Sequence, residues 1–457
     1  MGHHDQNFAG KRLEIAVIGS GISGLSCAWL LSQSHSVTVY EKAGRIGGHS
    51  HTVDVDLGGK RFAVDTGFIV YNETTYPNLT ALFDTLEVPT APTGMSFAVS
   101  LDEGAYEYSG SGLAGLLAQP ANLISPRFWS MVRDLLRFYR EAPRDLTEMG
   151  EISLGDYLDK HHYGRAFRDD HLYPMAAAIW STPAPDVGHH PAASFVRFCV
   201  NHGLLQLKDR PIWRTVKGGS REYVVRLTST FRDRILTGRT IASIRRIGGA
   251  VEIVEANGGA AGVRRFDHVV LACHADTALQ LLADPAVEER RILGMFRYSQ
   301  NEAVLHTDTG LMPRRRAAWA SWNYLAGNSA GNKRRLSVTY WMNSLQPLGD
   351  APPLFVTLNP LRDPRPGLIL SRDCYAHPVF DAAANRAQRE LWSLQGRQNT
   401  WYCGAYFGAG FHEDGLQAGL AVAEDLGGMR RPWQVPGDSA RIVRGPRPAV
   451  LTDMEAP

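Results

Sequence analysis

The chain has 457 residues, 44% of them hydrophobic and 21% charged, which is enough for two or three domains of ordinary globular composition. A net charge of +2 gives no reason to expect a nucleic-acid partner. Five scattered cysteines (Cys27, Cys199, Cys273, Cys374 and Cys403) form no C-x-x-C pair, which argues against zinc and a disulfide framework and fits a reducing cytoplasm. Met1-Gly-His-His-Asp-Gln-Asn has no apolar core, so no signal peptide is expected. No apolar run reaches the roughly 18 residues of a membrane span. The expectation is a cytoplasmic protein whose membrane contact, if it has one, is peripheral and at the inner face.

The first element is an apolar strand from Leu13, which meets Gly19, Gly21 and Gly24 at G-x-G-x-x-G spacing, followed by a helical pattern to Leu31. A second strand, Val37–Tyr40, ends on Glu41. Gly19 is expected to make the tight turn, Gly21 to admit a pyrophosphate, and Gly24 to let the helix pack closely. The helix N-terminus, with Ile22 and Ser23, offers free N–H groups and a positive dipole end. Glu41 stands where an acid accepts hydrogen bonds from ribose hydroxyls. Together these point to a dinucleotide site; a chance glycine-rich turn is the plain alternative. The loop Glu41-Lys42-Ala-Gly-Arg45-Ile-Gly47-Gly48-His49 reads either as a polar turn or as a second contact with a long anionic cofactor.

Phe62–Asn72 contains Asp65-Thr66-Gly67-Phe68, a strand whose end is either bulged or set against a ligand. Between about residues 120 and 201 the spacing turns helical. In Pro126–Arg140, Phe128, Met131, Val132, Leu135, Leu136 and Tyr139 recur at three- and four-residue steps, with Arg127, Arg133, Arg137 and Arg140 on other faces. Such a helix either faces a core or lies on an anionic membrane. Tyr173–Ser181 is apolar and small enough to line a tunnel, or merely to pack. His161-His162 and His189-His190 lack metal-ligand spacing, and no metal is expected.

A Gly218-Gly219 turn starts another helix, strands follow near Ile241 and Val251, and Asp267–Ala272 is a buried strand. Further strands carry Asn301-Glu302 and Leu336–Trp341, and Tyr375-Ala-His377 looks pocket-directed. The last unit is strand, Gly-rich turn and helix, from Thr400 through Gly404, His412, Glu413, Asp414, Gly415 and Leu416. Residues 428–457 read as a surface tail.

G-x-G-x-x-G-L followed by E-x-x-x-R-x-G-G resembles the flavin-containing amine oxidase and FAD-dependent desaturase superfamily. Asp65–Asn72 and Tyr76-Pro77-Asn78 are most similar to a bacterial subgroup of predicted NAD/FAD-binding proteins associated with lipid methyltransferases. The resemblance implies an α/β fold: a Rossmann-type FAD-binding domain split in sequence, with a second mixed-sheet and helical substrate domain. The expected division gives the FAD domain residues 10–115, 204–276 and 396–427. A helical insert takes 116–203, the substrate sheet 277–395, and the tail 428–457. Non-covalent FAD is implied, touching Gly19, Gly21, Ile22, Ser23, Gly24, Glu41, Lys42, Arg45, Gly47, Gly48, His49, Thr66, Gly67, Phe68, Ile241, Ala272, Gly404, Glu413, Asp414, Gly415 and Leu416.

One departure bears on the reaction. Amine oxidases usually carry a lysine near flavin N5, whereas no lysine lies between Val269 and Asn332. The expected reaction is therefore hydride removal from a hydrophobic, lipid-like substrate by a fatty acyl desaturase or oxidase, with its electron acceptor unspecified. The candidate acid–base groups are His412, Glu302 and His377. A flavin amine oxidase, a non-catalytic flavin-containing lipid-binding protein and a plain NAD dehydrogenase stand as alternatives.

Overall fold

The computed structural model describes residues 12–180, 187–201, 203–206, 210–327 and 335–445. Its organising element is a five-stranded parallel sheet in the order Ile235–Leu236, Ser36–Tyr40, Glu14–Ile18, His268–Leu271, Thr400–Tyr402. These strands read as near-continuous apolar runs because both faces of the sheet are covered. The order reverses at Glu14–Ile18: the chain leaves to one side for Ser36–Tyr40 and returns on the other for His268–Leu271. Such a reversal opens a crevice beyond the carboxyl ends of the strands. The first helix, Ile22–Leu31, is buried along its whole length and lies against the last, His412–Gly427. They meet so closely that a Cβ on Gly419 would sit 2.2 Å from the Ser23 carbonyl oxygen. The first and last parts of the split domain are thus locked backbone to backbone.

The second domain is built on a seven-stranded mixed sheet: Ile369–Val379, Arg297–His306, Phe355–Leu358, Arg335–Trp341, Trp322–Gly327, Phe97–Leu101 and Tyr106–Ser109, in that spatial order. The architecture is the expected amine oxidase-like pair of domains. The first crossing, however, comes earlier than residue 115, because Phe97–Leu101 and Tyr106–Ser109 already pair within this sheet. A helical layer covers the sheet around a second core that includes Phe128, Phe138, Tyr157, Phe167 and Phe195. No helix among the described residues is long and apolar enough to cross a membrane.

The helix expected near residue 126 spans Pro126–Asp145, with the Ser125 hydroxyl capping the Phe128 N–H and Pro126 at its first turn. Its buried stripe is Phe128, Met131, Asp134, Phe138 and Ala142, whereas Leu136 is 45% exposed. Asp134 takes a buried place because its carboxylate accepts the Gly164 N–H at 2.8 Å. Residues 428–445 are not a surface tail. Arg431 is buried in an ion pair with Glu424 (2.7 Å), and Arg441 bonds Asp414 (2.7 Å) and the Thr75 carbonyl (2.7 Å). This segment laces the last helix to residues near the first crossing.

Candidate active site

A cavity of about 1300 Å³ runs from the crevice of the parallel sheet to the underside of the helical layer. Its first end is the expected dinucleotide cradle. Gly19 turns with φ +107°, and a side chain there would strike the Ala272 carbonyl at 2.7 Å. On Gly24 a Cβ would lie 2.0 Å from the Gly19 carbonyl oxygen, so this glycine serves close packing. On Gly21 it would meet no protein atom within 4 Å and would project into open space. The three glycines thus divide as their spacing demands, Gly19 for the turn, Gly24 for close packing and Gly21 for a ligand. Glu41 is held by the Ser20 N–H (3.0 Å) and hydroxyl (2.5 Å) and accepts the Ala43 N–H (2.8 Å), at the mouth of the crevice. The phenol oxygen of Tyr406 and Nε2 of His49, both in the cavity wall, are buried without a hydrogen-bond partner. An open Gly21 face, a ribose-type acid and unsatisfied buried polar atoms fit a bound dinucleotide with a long polar body.

Of the residues expected to touch the cofactor, Gly19, Gly21, Ile22, Ser23, Glu41, Lys42, Gly48, His49, Thr66, Gly67, Phe68, Ile241, Ala272 and Gly404 line this cavity. Gly24, Arg45, Gly47, Glu413, Asp414, Gly415 and Leu416 do not. Arg45 instead donates to the Gly48 carbonyl at 2.8 Å and shapes the loop. Glu413 points away and caps the helix Pro77–Thr85, accepting the Asn78 and Leu79 N–H groups at 3.1 and 3.0 Å. Asp414 caps its own helix by accepting the Phe411 N–H at 2.7 Å. Gly415 packs toward Ile22, and Leu416 is core. First-turn acids satisfy helix N-termini readily, and that chemistry has claimed both carboxylates here. The missing Cβ of Gly67, which lines the cavity, also makes room for the His49 carbonyl, which would otherwise stand 2.1 Å away.

The Asp65 side chain, adjacent to the cavity wall, is a junction. It accepts from Thr52 Oγ1 (2.6 Å), Ser220 N (2.9 Å) and Oγ (2.8 Å), and Gln346 Nε2 (2.9 Å), so it joins both domains. Burial pushes its carboxyl up to about 6, against hydrogen bonds that favour the charged form.

Histidines are concentrated in the wall: His49, His171, His274, His377 and His412. His412 stacks on Phe68 (centroids 3.8 Å), and its Nε2 lies 3.0 Å from both the Ser50 and Tyr223 hydroxyls. It is set deep in the wall, and burial lowers its pKa to about 3, so it is neutral near pH 7. His377 stacks with His49 at 5.4 Å, and burial lowers its pKa to about 4. A chain of directional bonds assigns its tautomer. The Glu302 N–H donates to Asn359 Oδ1 (3.0 Å), Asn359 Nδ2 to Asn301 Oδ1 (2.8 Å), and Asn301 Nδ2 to His377 Nδ1 (3.1 Å). Asn301 Nδ2 also donates to the Ser299 carbonyl at 3.1 Å, which fixes the amide orientation. Nδ1 is therefore the acceptor, and the proton sits on Nε2. Glu302 itself is misplaced for acid–base work. Its carboxylate pairs with Arg372, is 44% exposed and does not reach the cavity.

The far end of the cavity is apolar, walled by Met131, Val132, Leu135, Tyr139, Met175, Phe198 and Leu204. From the Tyr173–Ser181 stretch, Met175 reaches the wall; Ser181 and the Trp180 side chain lie outside the described residues. Tyr375 lines the cavity beside His377, as the pocket-directed pattern suggested, whereas Tyr298 and His274 also line it and were not legible as site residues, having neither motif nor periodicity. Among the described residues no group of three or more His, Cys, Asp or Glu is placed to hold a metal ion.

Comparison with known proteins fits this geometry. The family model for flavin-containing amine oxidoreductases matches residues 22–309. A Mycobacterium tuberculosis protein assigned by name as a flavin-containing monoamine oxidase is 26% identical over 264 residues, 54% of this chain and 55% of that protein. The chain thus spans about half the length of that relative. An FAD-dependent oxidoreductase of Emericella nidulans is 24% identical over 87% of this chain and 88% of its own length. The crystal structure of a CLA-producing fatty acid isomerase from P. acnes shares the fold, with TM-score 0.61 and 16% identity, covering 91% of this chain and 98% of that one.

Proposed function

Because the chain belongs to the flavin-containing amine oxidoreductase family, we propose that it is an FAD-dependent oxidoreductase acting on a hydrophobic, lipid-like substrate of fatty acyl type, as a desaturase or oxidase. The observation that carries this reading is the charge and polarity of this cavity. Among the described residues that line it the one carboxylate is Glu41, at the ribose end, whereas the described wall of the apolar chamber carries Arg210 and no acid. A substrate ammonium would find no counter-charge there, and an alkyl chain would find apolar walls with a cation for an acyl carboxylate.

When bound, FAD would supply the redox chemistry, the acceptance of a hydride equivalent. The cradle residues would hold its adenosine and pyrophosphate, with Gly21 giving backbone access and Glu41 placed for the ribose. His377 presents a fixed Nε2–H to orient an acceptor atom, and neutral His412 anchors the Ser50–Tyr223 pair beside Phe68. The chamber excludes water from the reacting carbon. Non-covalent attachment of FAD is part of this reading, supported by Cys273, the thiol in the wall, which burial pushes up to about 12, far from a reactive thiolate. The Asp65–Asn72 and Tyr76–Asn78 segments support membership of the subgroup associated with lipid methyltransferases, in agreement with a lipid substrate.

The test is anaerobic mixing of the FAD-loaded protein with long-chain fatty acids and phospholipids. Bleaching of the flavin by an acyl lipid, with none by simple amines, is expected. The likeness to the mycobacterial monoamine oxidase favours a second reading, amine oxidation, which peroxide release with amines alone would establish. Flavin that no lipid or amine bleaches would point to a non-catalytic lipid-binding flavoprotein.

A further inference from the structure

Large apolar side chains exposed to solvent are unevenly placed. Of the twelve most exposed, seven fall between residues 113 and 212: Leu113, Leu123, Ile124, Trp129, Leu136, Val200 and Ile212. They include every leucine and the one tryptophan of that set, whereas the other five are scattered valines and an isoleucine. Single exposed hydrophobics are ordinary, but a cluster of the largest ones calls for a partner.

The helix Pro126–Asp145 organises the cluster. Trp129, Arg133, Leu136 and Arg140 follow one another at steps of four, three and four residues, which puts them on one face. All four are exposed, with Trp129 at 50% and Leu136 at 45%. Leu123 and Ile124 adjoin the start of this face, since Trp129 Nε1 donates to the Leu123 carbonyl at 2.9 Å. The apolar side chains are flanked by guanidinium groups: Arg133 and Arg140 are 74% and 62% exposed, although Asp134 and Glu141 lie within 3.4 and 3.0 Å of them. The helix carries five arginines against three acids, and one of those acids, Asp134, is buried. The same face adjoins the cavity. Leu136 and Ile212 are both cavity lining and exposed, and Arg210 is exposed at the same rim.

We propose that this face docks on an anionic phospholipid bilayer, so that the apolar chamber opens onto the membrane that supplies its acyl substrate. Ile124 and Trp129 enter the headgroup and acyl boundary, and Arg133, Arg140 and Arg210 meet lipid phosphates. The purpose of the docking rests on the lipid-substrate reading, but the docking itself rests on the exposed face alone.

The test is flotation of the FAD-loaded protein with vesicles of phosphatidylcholine alone or with 30% phosphatidylglycerol (a composition of about the anionic content that basic helices respond to). Binding to the anionic vesicles is expected, weakened at least tenfold by the double substitution Ile124→Glu/Trp129→Glu and by Arg133→Glu/Arg140→Glu, with flavin content retained. Equal flotation of wild type and both variants, or no flotation at all, would overturn the proposal. So would a concentration-dependent dimer, seen by sedimentation and abolished by Ile124→Glu/Trp129→Glu, without vesicle binding; the face would then pair with a second copy. Vesicle binding that persists while no lipid bleaches the flavin would keep the docking and remove the lipid-oxidation reading.

Discussion

The two ends of the cavity are held by different physics. The dinucleotide cradle is a backbone structure: glycines at fixed spacing, a helix N-terminus, and a parallel sheet whose ends are pinned by hydrogen bonds. The chamber is a side-chain structure, assembled from Met131, Leu135, Met175, Phe198 and Leu204, which come from separate helices and loops of the insert. Backbone geometry tolerates almost no substitution where two chains touch. Apolar walls tolerate many exchanges of similar volume. A family can therefore keep one cofactor while its substrates diverge.

The sharpest test of that contrast lies within the cradle itself. Gly24→Ala would force a Cβ to 2.0 Å from a backbone oxygen and is expected to destabilise the chain by more than about 3 kcal/mol, with loss of flavin. Gly21→Ala meets no protein atom, so its thermal midpoint without cofactor should match wild type while flavin affinity falls. Calorimetry and flavin absorbance on both variants would separate the roles. Similar losses of apo stability in the two would show that the cradle is not divided between packing and binding.

The next effect is expected where the last segment closes the cofactor domain. Arg431 is buried and bonds Glu424, Asn78 Oδ1 (2.8 Å) and the Asp438 carbonyl (2.8 Å). Arg431→Ala would leave Glu424 buried without its partner, at a cost of about 3–5 kcal/mol. Denaturant unfolding would measure it, and a change below about 1 kcal/mol would show that residues 428–445 are dispensable to the domain.

The smallest concerns the histidines shared by the two ends. His412 has a folded pKa of about 3, depressed by burial, against roughly 6.5 when unfolded. Between those values the unfolded chain binds the extra proton. The histidine's contribution to stability is therefore present above about 6.5 and lost as the pH falls toward 3. His171 and His377, each lowered to about 4 chiefly by burial, act in the same direction. Stability should fall steeply on acidification, and His412→Gln should make that fall shallower by at most one proton, about 1.4 kcal/mol per pH unit. An unchanged slope would mean that His412 is already protonated in the fold.

Much of the cofactor end was legible because its determinants are local. Gly19, Gly21, Gly24 and Glu41 act within one strand–helix–strand unit, so spacing alone conveys their geometry. The errors came where a residue's role depended on what lay across from it. Glu413 and Asp414 sit in the first turn of the last helix, yet one caps Pro77–Thr85 and the other its own helix and Arg441. Glu302 shares a strand with Asn301, but strand alternation sends its carboxylate outward to Arg372 while Asn301 turns inward to His377.

The sequence by itself determined that a dinucleotide binds at the first glycine turn, that the binding domain is split, and that a helical insert interrupts it. Tertiary structure alone decided which histidines face the cavity and which tautomer His377 takes, that Arg210 stands by the chamber, and that the exposed Trp129–Leu136 face adjoins it. Spacing records contacts between neighbours in the chain. The chamber is made by residues far apart in sequence, and only folding brings their charges and apolar surfaces to the same wall.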